Sequence, residues 1–145
     1  MNNKFQNFIF DLDGTLINSS QEVFKCFKVA FEFANYPINE NNLTENIIGP
    51  PLRDIVHLIA PELKDENIVD NIVENFRETY DSLEDDSSFL FDGTIEVLKK
   101  LKADNCKIFM ATYKPMAPTS RIVKVAKIEK YFDEIYGIDK FGKGR

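Results

Sequence analysis

The sequence is short of residues that cross-link chains or gather metals. Only two of its 145 residues are cysteine, Cys26 and Cys106. They lie far apart with no paired spacing, which excludes a disulfide framework and a cysteine-based metal knuckle. Both read as buried thiols of a reducing compartment. The single histidine, His57, has nothing around it that resembles a metal or triad site and reads as a partly buried helix residue. Positive charge is also in deficit. Eighteen Lys and Arg face twenty-four Asp and Glu, a net charge of −6, which argues against a nucleic-acid backbone or an anionic membrane surface as partner. No apolar run approaches the ~20 residues of a membrane span, and none at the N-terminus has signal-peptide length. A soluble, cytoplasmic protein is expected.

Apolar residues are plentiful. They make up 43% of the chain and include thirteen Phe, enough to supply a packed core. Phe8-Ile9-Phe10 reads as a buried strand that stops abruptly at Asp11-Leu12-Asp13-Gly14-Thr15. Helical spacing follows for some seventy residues. Phe24, Phe27, Phe31 and Ala34 form one stripe, broken by Asn35-Tyr36-Pro37. Leu43 to Ile48 reads as a short helix closed by Gly49-Pro50-Pro51. Leu52, Ile55, Val56 and Ile59 mark a third helix. Ile68, Ile72, Phe76 and Tyr80 mark a fourth, running from about Asp65 to Leu83. A polar, acidic stretch, Glu84 to Ser88, reads as a linker.

Strand signals resume at Phe89-Leu90-Phe91, then a helix carries Ile95, Leu98 and Leu101. Lys107 to Thr112 is apolar throughout, as for a parallel strand covered on both faces. Pro118 to Ala126 reads as helix and Glu134 to Gly137 as a short strand. The alternation specifies α/β class with a parallel sheet and right-handed crossovers. Residues 1–17 and 86–145 are expected to form this core, with a helical block at 18–85. Phe91-Asp92-Gly93-Thr94 echoes the first Asp-Gly-Thr, but a helix start accounts for it.

The chemistry is expected where strands end. Asp11 and Asp13 point out of the sheet into the crevice that binds ligands in open α/β folds. One carboxylate can attack phosphorus as a nucleophile, and the other can handle the leaving group's proton. Neighbouring parallel strands bring Thr112, Tyr113 and Lys114 to the same end. There a hydroxyl, backbone N–H groups and an ammonium can hold phosphate oxygens. Lys114 reads equally as a phosphate-facing cation or a solvated loop lysine.

Asp11-Leu12-Asp13-Gly14-Thr15 resembles the first motif, DxDGT, of the haloacid dehalogenase-like hydrolases. The apolar strand ending in Thr112, with Lys114-Pro115 after it, is similar to their second motif. The resemblance implies a Rossmann-like core and a Mg²⁺-dependent phosphomonoester hydrolase. In it, Asp11 becomes aspartyl-phosphate, Asp13 is acid and then base, and both hold the metal. The helical block resembles the cap of the phosphoglycolate phosphatase-like subgroup, in which Gly49-Pro50-Pro51-Leu52-Arg53 looks like the loop facing the site. Arg53 is then the expected substrate contact and a small phosphorylated metabolite the expected partner.

The family pattern also implies a further lysine and one or two acids on an additional strand, and the sequence ends at Phe141–Arg145, before they would appear. Asp133, Glu134 and Asp139 flank the third strand and do not replace them. The three-stranded core is therefore expected to be incomplete. Activity of this chain alone is expected to be weak or absent, and the first strand's open edge is expected to favour self-association. The alternative is a catalytically incompetent member acting as a binding module. Within the family, a nucleotidase, pyrophosphatase or sugar phosphomutase would use the same core.

Overall fold

A computed structural model of the chain describes residues 5–83 and 89–140. The chain divides into two compact units, Met1–Asn18 with Ser88–Arg145, and Ser19–Ser87. The expected linker at 84–88 and the chain end at 141–145 lie outside the described residues.

The second unit is all helical. Helices α1 (Ser20–Phe33), α2 (Leu52–Ile59) and α3 (Glu66–Asp81) share one core. On α1 the buried apolar residues are Val23, Cys26, Phe27, Ala30 and Phe31, so the stripe is turned slightly from the expected one, leaving Phe24 and Ala34 at its margin. The same shift occurs on α3, where Val69, Ile72, Val73, Phe76 and Tyr80 are buried and Ile68 is marginal. Phe27 stacks obliquely on Phe76 with ring centroids 4.3 Å apart. Asp65 caps α3, its side chain accepting from the Asn67 N–H at 2.9 Å.

Helix α1 ends in a left-handed residue, Asn35 (φ 51°). The Tyr36 N–H bonds back to the Phe31 carbonyl and the two rings meet at 6.2 Å. That is the hydrogen-bond pattern and hydrophobic contact of a Schellman stop.

The expected helix over Leu43–Ile48 is absent. Two single 3₁₀ turns, Glu40–Asn42 and Glu45–Ile47, stand there, separated by an extended Thr44. The Asn39 side chain binds the Asn41 N–H, and the Asn42 amide binds the Ile59 carbonyl. Asparagine side chains thus satisfy backbone groups that a helix would otherwise use.

The first unit is an α/β layer. Strands β1 (Asn7–Phe10), β4 (Lys107–Ala111) and β5 (Glu134–Tyr136) form a parallel sheet in the order β1-β4-β5, with Phe8 beside Ile108 and Phe10 beside Met110. Two-residue strands β2 (Ile17–Asn18) and β3 (Phe89–Leu90) pair antiparallel in a separate ribbon. Phe89-Leu90 therefore does not join the main sheet. Asp92-Gly93-Thr94 serves as a turn and helix start: Gly93 has φ 85°, and the Thr94 hydroxyl donates to the Leu16 carbonyl.

Helices α4 (Thr94–Ala103) and α5 (Met116–Val125) contribute Leu98, Ile122 and Val123 to a core with Ile108 and Met110. Both crossovers therefore cover the same face of the sheet. The opposite face carries Ile9, 71% exposed, and a half-buried Phe109. Coverage of β4 on both faces, expected from its apolar sequence, is not found among the described residues. Strand β1 has β4 as its only partner there, leaving its other edge open.

Candidate active site

The parallel register puts Asp11 opposite Ala111, one residue past the Phe10–Met110 pair, so the β1 and β4 loops leave the sheet side by side. Residues 12–17 wind around one carbonyl. The Leu12 oxygen accepts from the N–H groups of Thr15, Leu16 and Ile17, while Gly14 N–H donates to the Ile17 carbonyl at 2.9 Å. Gly14 sits at φ 74°, where a side chain would be strained. The buried Leu12 anchors this turn, with an acid on either side of it.

Asp11 is exposed, and its Oδ1 accepts from the Leu12 N–H at 2.7 Å. Asp13 turns inward. Its Oδ1 lies 3.4 Å from Lys114 Nζ, with only 14% and 11% of the two side chains exposed. An ion pair shielded from water to this degree is a weak source of stability.

Thr112 follows the last residue of β4 and is nearly buried. Its N–H donates to the Tyr136 carbonyl at 2.9 Å, and its Oγ1 accepts from the Lys114 N–H at 3.1 Å. That local turn uses one of the backbone donors expected for phosphate. Tyr113 is 65% exposed, so its main chain is the part placed at the loop. Asp11, Asp13, Thr112, Tyr113 and Lys114 thus share one end of one sheet.

Arg53 belongs to the helical unit. Its guanidinium binds Asp70 and Glu66 on α3, and the Asp70 hydrogen bond strengthens its hold on the proton further. His57, one turn on, lies 3.9 Å from the same Glu66 and is half-buried.

Two features were not read from the sequence. Asp139 Oδ1 accepts from the Met116 N–H at 2.8 Å, at the first residue of α5. The residue before it, Pro115, has no side-chain acceptor to cap that helix itself. Gly137 packs against the same loop so closely that an added Cβ would lie 2.8 Å from both Lys114 O and Met116 N. The available signal was Gly-x-Asp directly after the last strand.

As for magnesium, no cluster of three or more candidate ligand side chains occurs among the described residues. The groups expected to hold it are the Asp11 carboxylate and the Asp13 main-chain oxygen, and Mg²⁺ keeps several waters and takes substrate phosphate oxygens beside such ligands. Asp11 and Asp13 therefore suit a site made jointly with substrate.

The comparisons bear on the family and the fold. The family model for haloacid dehalogenase-like hydrolases matches residues 8–144. The chain belongs to that family. It is 30% identical over 138 residues to the tyrosine-protein kinase PtkA of Mycobacterium tuberculosis, covering 94% of this chain and 46% of PtkA. It is 29% identical over 146 residues to the pyrophosphatase PpaX of Listeria monocytogenes, covering 100% of this chain and 65% of PpaX. Among solved structures, a haloacid dehalogenase-like family hydrolase from Streptococcus pneumoniae matches with a TM-score of 0.81 at 26% identity, over 95% of this chain and 63% of that one. The chain thus spans about half to two-thirds of the length of these relatives.

Proposed function

We propose that this chain handles a phosphoryl group as a phosphomonoester hydrolase, through an aspartyl-phosphate at Asp11. The observation that carries the reading is the shielded Asp13–Lys114 pair, 3.4 Å apart, beside the exposed Asp11 at the ends of adjoining parallel strands. An Asp11 carboxylate oxygen attacks phosphorus and the ester P–O bond breaks; Asp13, which takes up a proton as Lys114 turns from it to the phosphoryl oxygens, gives that proton to the leaving alkoxide. In the second half Asp13 takes a proton from water, the hydroxide attacks phosphorus, and the Asp11–phosphorus link opens. Thr112, the Tyr113 main chain and Lys114 hold the phosphoryl oxygens, with Lys114 supplying positive charge where charge develops. Bound Mg²⁺, held by Asp11 and Asp13, would neutralise phosphate charge.

The substrate class is a small phosphorylated metabolite of the phosphoglycolate type, with the helical unit serving as a cap and Arg53 as a contact. For that role Arg53 must exchange one of its α3 carboxylates for the substrate. Relatives named as a pyrophosphatase and a tyrosine kinase both move phosphoryl groups, which supports the class of chemistry and leaves pyrophosphate as the second substrate to try. Two buried thiols support a cytoplasmic setting. The open edge of β1, where Ile9 is exposed, supports self-association.

The test is phosphate release from a panel of phosphomonoesters and pyrophosphate with Mg²⁺. Slow release that falls to background in Asp11→Asn supports the reading. Release that survives Asp11→Asn contradicts it. Phosphate binding without turnover in either protein favours a binding module.

A further inference from the structure

We infer that the segment Tyr136–Asp139 is a positioning clamp for the Lys114 loop, with Asp139 as its principal residue. The inference rests on the phosphate-site reading above.

Four contacts run from this segment to the loop between β4 and α5. The Tyr136 carbonyl accepts from Thr112 N–H at 2.9 Å, and Ile138 N–H donates to the Lys114 carbonyl at 3.3 Å. Gly137 N–H lies 3.0 Å from Met116 Sδ, and Asp139 takes the Met116 N–H at 2.8 Å. Every residue from Thr112 to Met116 except Tyr113 and Pro115 is therefore held from outside its own loop. Gly137 sets the spacing, because any side chain there would push into the Lys114 and Met116 main chain.

The segment is itself fixed. Lys140 N–H donates to the Gly137 carbonyl. Its ammonium binds Glu134 Oε2 at 3.0 Å and the Ile135 carbonyl at 2.7 Å, and lies 4.2 Å from the centroid of the Tyr136 ring. Three side-chain interactions on one lysine tie residues 134–140 into a single turn.

The clamp matters because Lys114 must reach Asp13 from a loop whose helix begins behind a proline. Pro115 fixes its own φ but donates no hydrogen bond and caps nothing. Asp139 supplies the missing cap, and its negative charge suits the positive end of α5. Without it the first turn of α5 loosens, and Lys114 loses its fixed approach to Asp13 and to a bound phosphoryl group.

The test measures binding of inorganic phosphate, with Mg²⁺ present, from backbone amide shifts of the folded full chain. Asp139→Ala is expected to weaken binding by about 3- to 30-fold, the range of a lost helix cap. Asp139→Asn, which keeps the acceptor, is expected to stay near the starting affinity. The same Asp139→Ala change is then made in a Lys114→Met background. A positioning role predicts that most of the loss disappears there, because the side chain being positioned is gone. A loss of equal size in both backgrounds is general loop damage and overturns the inference, as does unchanged affinity in Asp139→Ala. Should Asp139→Ala fail to fold, Asp139→Glu keeps the charge, moves the acceptor by one methylene and carries the same cycle. An unsubstituted chain that binds no phosphate overturns the phosphate-site reading and this inference with it, and is told apart because no variant is involved.

Discussion

The two units of this chain meet their packing needs very differently. The helical unit buries Phe27, Phe31, Ile59 and Ile72 completely, and its long helices turn apolar stripes toward one another. Among the described residues, the α/β unit covers one face of a three-stranded sheet and leaves Phe5 and Ile9, at 65% and 71% exposure, near a strand edge without a partner strand. Yet the α/β unit, covered on one sheet face only among the described residues, carries the two acids, the shielded lysine and the loop held by Asp139. The candidate site thus lies in the unit with the more exposed sheet, and the helical unit offers a closed core and a surface arginine.

The largest expected effects sharpen that contrast. Phe27→Ala removes a fully buried ring stacked on Phe76 and should cost about 3–5 kcal/mol in urea unfolding followed by the amide signals of the helical unit. Met110→Ala, at the centre of the covered sheet face, should cost about 2–5 kcal/mol read from the signals of the α/β unit. A negligible cost for Met110→Ala would mean that the sheet contributes little fixed packing.

A smaller effect concerns acid. Asp133, ahead of β5, accepts from Lys102 at 2.7 Å, from the Ile108 N–H at 2.8 Å and from Lys107 at 3.1 Å. The Lys102 bond above all holds its carboxyl well below the ordinary carboxylate range. A carboxyl lowered on folding stabilises the native state above its unfolded pKa, about 4, and that contribution fades as pH falls toward the depressed native value. Asp133→Asn should lower stability at neutral pH and flatten its decline below about pH 4. The check is urea midpoints across pH 2 to 7. Parallel curves for the two proteins would show that Asp133 is not the group responsible.

The smallest effect on stability, and the sharpest on association, is expected from Ile9→Lys. An exposed side chain contributes within about 0.5 kcal/mol of nothing, while a lysine on an open edge discourages strand pairing. Sedimentation should show concentration-dependent self-association of the starting chain and a shift to monomer in the variant. Identical sedimentation would place any association elsewhere.

Much of this was legible in the sequence. Apolar runs with β-branched and aromatic residues marked β1, β4 and β5, and four-residue spacing marked α1, α2 and α3. Two acids at an apolar strand end marked the candidate site. What stayed hidden depends on partners far away in the chain. Periodicity alone did not separate a helix from two 3₁₀ turns at Leu43–Ile48, because asparagine side chains there bind backbone groups up to seventeen residues distant. The β2–β3 ribbon pairs residues more than seventy apart, and two-residue strands leave no periodic signal. Lys114 read equally as solvated or inward because its exposure is set by Asp13, across the sheet end. Asp139 is a cap supplied from a different loop, so nothing in the sequence around α5 announced it.

The central claim is that Asp11 accepts the phosphoryl group. Acetyl phosphate or a phosphomonoester is incubated with the chain and Mg²⁺, then acid-quenched, and borohydride reduces any aspartyl-phosphate to homoserine before peptide mass analysis. The account predicts homoserine at position 11 and at no other aspartate, and none in Asp11→Asn. Homoserine at Asp13 or elsewhere, with Asp11 intact, would contradict it.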